Sequence, residues 1–113
     1  YQSVSRAGKK ALEELVLQTS SFLNGKSFDS QIFPSKIAFN LIPHIDEFED
    51  NGYTKEEMKV VLETQKLLKD QTIQISATAV RVPVFYGHSE AVNIETKKKI
   101  SADEVRQLLA KMP

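Results

Sequence analysis

Arg81 and His88 are the residues of this chain best suited to chemistry. They stand at the far end of an apolar, β-branched run that begins at Thr72. Such a run reads as a buried strand, and a guanidinium stays charged at any physiological pH, so its burial without a partner is costly. Arg81 therefore calls for an anion. Beyond it, Pro83 lacks the donor a ladder needs, and Gly87 reaches backbone conformations that strain other residues. His88 can move protons near neutral pH. A fixed cation and a proton carrier at the end of one strand fit a site for an anionic substrate.

Glu56 and Lys59 form a second pair, three apart on the first turns of a helical pattern and so on one face. Spacing alone also fits an ordinary surface pair, because the helix dipole favours an acid near an N-terminus. His88 likewise fits a turn histidine bonded to backbone. Gln2 and His44 carry no signal of their own, and Ser5-Arg6-Ala7-Gly8 at a helix start is a weak anion-site pattern.

The totals narrow the class. In 113 residues, fifteen basic and fifteen acidic side chains cancel, which leaves no electrostatic footprint for nucleic acid or an acidic membrane. No apolar run is long enough to span a bilayer, and no leader pattern is present, so a soluble globular domain is expected. Without cysteine there is no disulfide frame, thiolate metal site or cysteine nucleophile, and two histidines in unlike contexts do not make a metal centre.

Several elements must position these residues. Ala11, Leu12, Leu15, Val16 and Phe22 recur at helical spacing, with Lys9, Lys10, Glu13, Glu14 and Gln18 opposite, which predicts an amphipathic helix over 6–23 stopped by Asn24-Gly25. Residues 26–36 have no period and read as a surface loop. Residues 37–42, closed by Pro43, predict a strand, and Asn51-Gly52 predicts a turn. Thr54 and Glu57 make a capping box for a helix with Met58, Val61, Leu62 and Leu68 facing the core. Residues 72–82 predict a strand covered on both faces, and 91–96 a further strand carrying Val92 and Ile94. Lys97-Lys98-Lys99 reads as a solvated run. Ser101 and Glu104 start a last helix with Val105, Leu108 and Leu109 inside. The order helix, strand, helix, strand, strand, helix predicts an α+β (α/β) fold with helices packed on a mixed β-sheet.

Four stretches, Tyr1-Gln2-Ser3-Val4-Ser5, Ile37-Ala38-Phe39-Asn40-Leu41-Ile42-Pro43, Asn51-Gly52-Tyr53-Thr54-Lys55-Glu56-Glu57-Met58-Lys59 and Arg81-Val82-Pro83-Val84-Phe85-Tyr86-Gly87-His88-Ser89-Glu90, together resemble bacterial aspartate-semialdehyde dehydrogenase. The resemblance covers nearly the whole chain. It implies an NADP-dependent cytoplasmic enzyme that interconverts L-aspartyl 4-phosphate and L-aspartate 4-semialdehyde in lysine, methionine and threonine biosynthesis. Residues 1–113 would be a single partial domain, the first part of a catalytic and dimerisation domain similar to the C-terminal domain of glyceraldehyde-3-phosphate dehydrogenase. The Rossmann nucleotide domain and the cysteine nucleophile would lie outside this chain, which would be inactive alone and would self-associate as a homodimer or larger oligomer. The rival expectation is a non-enzymatic oligomerisation or binding module that keeps the fold.

Site roles follow residue by residue from the resemblance. Gln2 would help place the acyl-enzyme and His88 would be the general acid/base. Glu56 would bind the substrate amino group, Arg81 its carboxylate, and Lys59 phosphate. Ser5 and Arg6 fall at the cofactor position, where the family reads Ser-Gly-Ala-Gly, so Arg6 replaces a glycine that lets backbone approach the nicotinamide. The side-chain chemistry suits these roles, since a planar fork matches a carboxylate, a point charge matches phosphate and an imidazole transfers protons. Glu56, Lys59, Arg81 and His88 should then rim one concavity.

Overall fold

Two of the three helices begin where the sequence places a capping box. The computed structural model describes residues 1–112. α1 is Lys9–Leu23, α2 is Lys55–Leu68 and α3 is Ala102–Ala110, with a 3-10 turn at Val4–Ala7 ahead of α1. Thr54 accepts from the Glu57 amide while the Glu57 carboxylate accepts from the Thr54 amide, and Ser101 and Glu104 repeat the arrangement for α3. α1 starts three residues later than its period suggests. The cause is Gly8, whose φ of 90° breaks the run and leaves Arg6 and Ala7 in the 3-10 turn.

The core is small and lies between α1 and the segments that cross it. Val4, Ala11, Leu15, Phe33, Ile37 and Ile42 form it, with Leu12 and Ala38 against them. Glu14 and Gln18, which the amphipathic reading puts on the solvent side, are buried. They anchor the aperiodic loop that follows α1. Gln18 Oε1 accepts from the Ile37 and Ala38 amides at 2.8 and 3.0 Å, and Glu14 Oε2 accepts from Gln31 and Ile32. Gln18 Nε2 closes the network on Glu14 Oε1 at 3.0 Å. A buried amide left without its acceptor costs about 1–3 kcal/mol, so Gln18→Ala is expected to destabilise the protein by about 2–4 kcal/mol in chemical denaturation. A loss below about 0.5 kcal/mol, the scale of a surface change, would show that Gln18 does not anchor the loop.

The mixed sheet does not form as expected. Among the described residues there are only isolated bridges, which pair His88 with Gln2, Gln2 with Arg81, Arg81 with Ile42 and, apart from these, Phe48 with Thr54. Each crossing is one residue wide. Pro83 stands two residues beyond Arg81, so it cannot donate to the rung that would face Asn40. Val84 instead donates to Val82 O at 2.8 Å, a tight turn around Pro83.

Residues 73–80 follow a turn at 71–72 and join no sheet, and they are covered on one side only. Ile73, Ile75, Ala77 and Ala79 are sheltered, while Gln74, Ser76 and Thr78 are exposed. The segment runs along α2, where Gln65 Nε2 donates to Ile73 O and the Ala79 amide donates to Glu57 Oε1. Leu62 and Leu68 of α2 point outward, as do Val105, Leu108 and Leu109 of α3, and residues 91–96 make no strand. The radius of gyration is 18.0 Å, against about 13 Å for a compact domain of this length. Among the described residues the closed core thus lies near α1, and the candidate site lies beside it, where the start of α2 meets the segments of Gln2 and Arg81. No helix among the described residues is long and apolar enough to cross a membrane.

Candidate functional site

The row of bridges brings the candidate residues side by side. Gln2 donates its amide to Val80 O at 2.8 Å and accepts from the Val82 amide at 3.0 Å, while Arg81 and Ile42 exchange both backbone bonds. On the other side of Gln2, Tyr1 and Ser89 exchange theirs. Residues directly opposite one another share a face of the ladder, which puts His88, Gln2, Arg81 and Ile42 in one row.

α2 is brought to this row by one carboxylate. Glu57 Oε2 caps the helix at the Thr54 amide, 2.8 Å away, and Glu57 Oε1 holds the Ala79 amide at 3.0 Å, two residues before Arg81. Burial, the largest influence, pushes the Glu57 carboxyl up, but the Thr54 and Ala79 bonds together hold it below its usual value. A turn at Asn51-Gly52, with Gly52 at φ 83°, folds Phe48 back onto Thr54 and fixes the other side of the helix start.

Arg81 is buried at 8% exposure, and no carboxylate lies within ion-pair distance of it among the described residues. Its Nη1 donates to Ser3 O at 2.9 Å and to Gln2 Oε1 at 3.3 Å, and its guanidinium lies 5.9 Å from the Phe33 ring centroid. Burial first pulls its pKa down, Glu56 works against that and Arg6 adds to it. A guanidinium starts so high that it remains charged. With only Nη1 engaged by protein, the rest of the fork is left for an anion.

Gln2 joins Arg81 to α2. Its Nε2 donates to Glu56 Oε1 at 2.5 Å, and Glu56 Oε2 pairs with Lys59 Nζ at 3.3 Å. The Gln2 bond lowers the Glu56 pKa most, burial opposes it, and Lys59 and Arg6 lower it further. Glu56 is thus an ionised carboxylate well into mildly acidic pH. Gln2, Arg6, Ile45, Asp46, Glu56, Lys59 and Arg81 line a cleft of about 310 Å³. That volume reaches the lower end of small-ligand sites.

His88 is the exception among the four residues expected to rim one concavity. It is exposed and borders a separate depression of about 120 Å³ with Tyr1, Val82 and Val84. The reason is its place in the row, one strand beyond Gln2 and on the far side from Arg81, which puts its backbone about 10 Å from that of Arg81. Ser5 also lies outside the cleft lining. Its hydroxyl meets Ser3 Oγ at 2.8 Å and its amide donates to Phe85 O. Ile45 and Asp46 are in the cleft lining without any motif pointing to them, Asp46 with a left-handed φ of 69°.

A 3-10 turn occupies the expected cofactor position. The Ser5, Arg6 and Gly8 amides are taken up by Phe85 O, Ser3 O and Ser5 O. No cluster of three His, Cys, Asp or Glu side chains is placed to hold a metal among the described residues.

The cleft sets a buried guanidinium beside a carboxylate and an ammonium, so its lining carries both signs of charge. Residues 1–113 match the family described as semialdehyde dehydrogenase, dimerisation domain, and the chain belongs to that family. It is 60% identical over 113 residues to an aspartate-semialdehyde dehydrogenase of Legionella pneumophila, covering all of this chain and 33% of that protein. A Vibrio mimicus enzyme of the same name is 56% identical over 109 residues, 96% of this chain and 34% of that one. In three dimensions the chain is similar to a crystal structure of aspartate semialdehyde dehydrogenase II from Vibrio cholerae complexed with ASA. The TM-score is 0.96 at 55% identity, over 98% of this chain and 33% of that one. An aspartate semialdehyde dehydrogenase from Francisella tularensis gives 0.85 at 31% identity, over 98% of this chain and 36% of that one. The chain spans about a third of the length of these relatives.

Proposed function

We propose that this chain is the substrate-holding and dimerisation part of a cytoplasmic, NADP-dependent aspartate-semialdehyde dehydrogenase. The reaction is the interconversion of L-aspartyl 4-phosphate and L-aspartate 4-semialdehyde, on the route to lysine, methionine and threonine. One observation carries the reading: Arg81, Gln2, Glu56 and Lys59 form a continuous chain of contacts lining one cleft, in a sequence so similar to enzymes of that name. Arg81 holds the substrate carboxylate with the part of its fork that Gln2 and Ser3 leave open. Glu56, ionised, holds the amino group, and Lys59 meets the phosphoryl group. Gln2 orients Arg81 with its oxygen and Glu56 with its nitrogen. His88, in register with Gln2, exchanges a proton with the substrate oxygen at the reacting carbon. NADP supplies the hydride chemistry when bound, chiefly by a nucleotide domain outside this chain. The exposed apolar side chains of residues 84–94 and of α3 favour cover by other protein surface, in keeping with a dimer.

The test is enzymatic. The full-length protein encoded by the gene is expected to reduce NADP with L-aspartate 4-semialdehyde only when phosphate is present. Residues 1–113 alone are expected to be inactive, because a covalent acyl step needs a thiolate and the chain has no cysteine. Phosphate-independent turnover by the full-length protein, or measurable turnover by residues 1–113 alone, would overturn the reading.

A further inference from the structure

Phe33 sits in a stretch with no period and no motif, yet it is buried and its ring lies over the Arg81 guanidinium, 5.9 Å from centroid to Cζ. The loop is tied to α1 on each side of it. Before Phe33, the Gln31 and Ile32 amides donate to Glu14 Oε2 at 3.1 and 2.7 Å, and after it the Ile37 and Ala38 amides donate to Gln18 Oε1. Pro34 restricts the backbone immediately beyond the ring. Phe33 also belongs to the core cluster that contains Val4 and Ile42. Those two adjoin what Arg81 bonds, since Val4 follows Ser3, whose carbonyl accepts from Nη1, and Ile42 exchanges both backbone bonds with Arg81.

We infer that Phe33 is a positioning residue for Arg81, its ring setting the plane in which the guanidinium meets the substrate carboxylate. This rests on the function proposed above and deepens it. Ser3 O and Gln2 Oε1 both accept from one nitrogen, Nη1, at 2.9 and 3.3 Å. Bonds at a single corner of the fork, one of them long, restrain the far corner only weakly against tilting. A ring lying over the guanidinium attracts the cation and blocks that tilt. The plane matters because a carboxylate is gripped by two parallel N–H bonds, and both lengthen when the fork leaves the carboxylate plane. Glu14 and Gln18 thereby bear on the cleft through the loop, although neither lines it.

Steady-state kinetics of the full-length enzyme separate positioning from plain core packing. Phe33→Leu keeps apolar bulk and loses the ring, so KM for L-aspartate 4-semialdehyde is expected to rise about fivefold, with kcat and KM for phosphate within about twofold. Phe33→Tyr, which keeps the ring, is expected to hold that KM within about twofold. Leu15→Ala, in the same core cluster but on α1, is expected to lower the melting temperature at least as much as Phe33→Leu and to leave the KM within about twofold. In an Arg81→Lys enzyme no planar fork remains to be oriented, so adding Phe33→Leu is expected to change KM by less than about twofold. An unchanged KM in a folded Phe33→Leu enzyme would overturn the inference. So would an equal rise in Leu15→Ala, or a Phe33→Leu effect of the same size with Lys at position 81. Failure of the proposed function looks different, because the unsubstituted enzyme would then not turn over L-aspartate 4-semialdehyde at all, and the inference would fall with it.

Discussion

Arg81→Ala in the full-length enzyme is expected to lower kcat/KM for L-aspartate 4-semialdehyde by about a thousandfold. Leaving a buried charged partner unmatched costs about 3–5 kcal/mol, and each factor of ten in rate corresponds to about 1.36 kcal/mol. Here the unmatched group is the substrate carboxylate. Arg81→Lys keeps the charge but loses the fork, so a smaller loss of about a hundredfold is expected. The loss belongs mostly in KM for the amino-acid substrate, because the carboxylate is held equally before and during reaction, while KM for phosphate moves much less. Arg81 also bonds Ser3 O and Gln2 Oε1, so part of the effect passes through Gln2 to Glu56. Circular dichroism and the melting temperature of the lysine variant distinguish this from unfolding. A kcat/KM within about threefold of the unsubstituted enzyme in a folded Arg81→Ala protein, a change under 1 kcal/mol, would remove Arg81 from the substrate site.

What the sequence made legible divides by the range of the interaction. Both capping boxes are local, three residues wide, and both form. The Asn51-Gly52 turn and the special backbone of Gly87, at φ 91°, are equally local. The strands are not, since a strand is defined by its partner, and an apolar alternation such as Ile73, Ile75, Ala77 and Ala79 reads the same against a helix as in a sheet. Here that face lies along α2. The polar residues of α1 show the same limit. Glu14 and Gln18 look solvated by period, yet they serve backbone amides more than ten residues away in a loop that has no pattern of its own. In the cleft, a buried arginine signals itself through the cost of its burial, whereas Gln2 signals nothing until Arg81 and Glu56 are seen on either side of it. Asp46 carries no readable sign, because a single acid in an acidic stretch looks like any other. Arg6 is legible as a departure from a glycine-rich pattern, but its direction is set by the 3-10 turn.

Glu57 is where the geometry of the site depends on one side chain that touches no substrate, and Glu57→Gln is expected to loosen it. The carboxylate accepts at both oxygens, from Thr54 and from Ala79. An amide has only one acceptor oxygen, so one of those buried N–H groups would face a second donor. The expected cost is about 2–3 kcal/mol, that of a charge-assisted hydrogen bond with an unsatisfied partner. If the Ala79 side gives way, its amide should exchange with deuterium about thirtyfold faster or more, read in peptides that cover residues 77–81 of the full-length protein. The start of α2 would then no longer be tied to Arg81, and KM for the amino-acid substrate is expected to rise because Glu56 is displaced. The pH dependence gives an independent check. The folded-state pKa of Glu57 lies below its ordinary value of 4.5, so its stabilisation is fully present above that pH and is lost as pH falls through the lower, folded value. The stability difference between the unsubstituted protein and Glu57→Gln should therefore be constant near neutrality and shrink below about pH 4.5. A difference that persists unchanged in acid, or an Ala79 amide that exchanges at its original rate, would show that Glu57 is not the carboxylate holding α2 to the Arg81 strand.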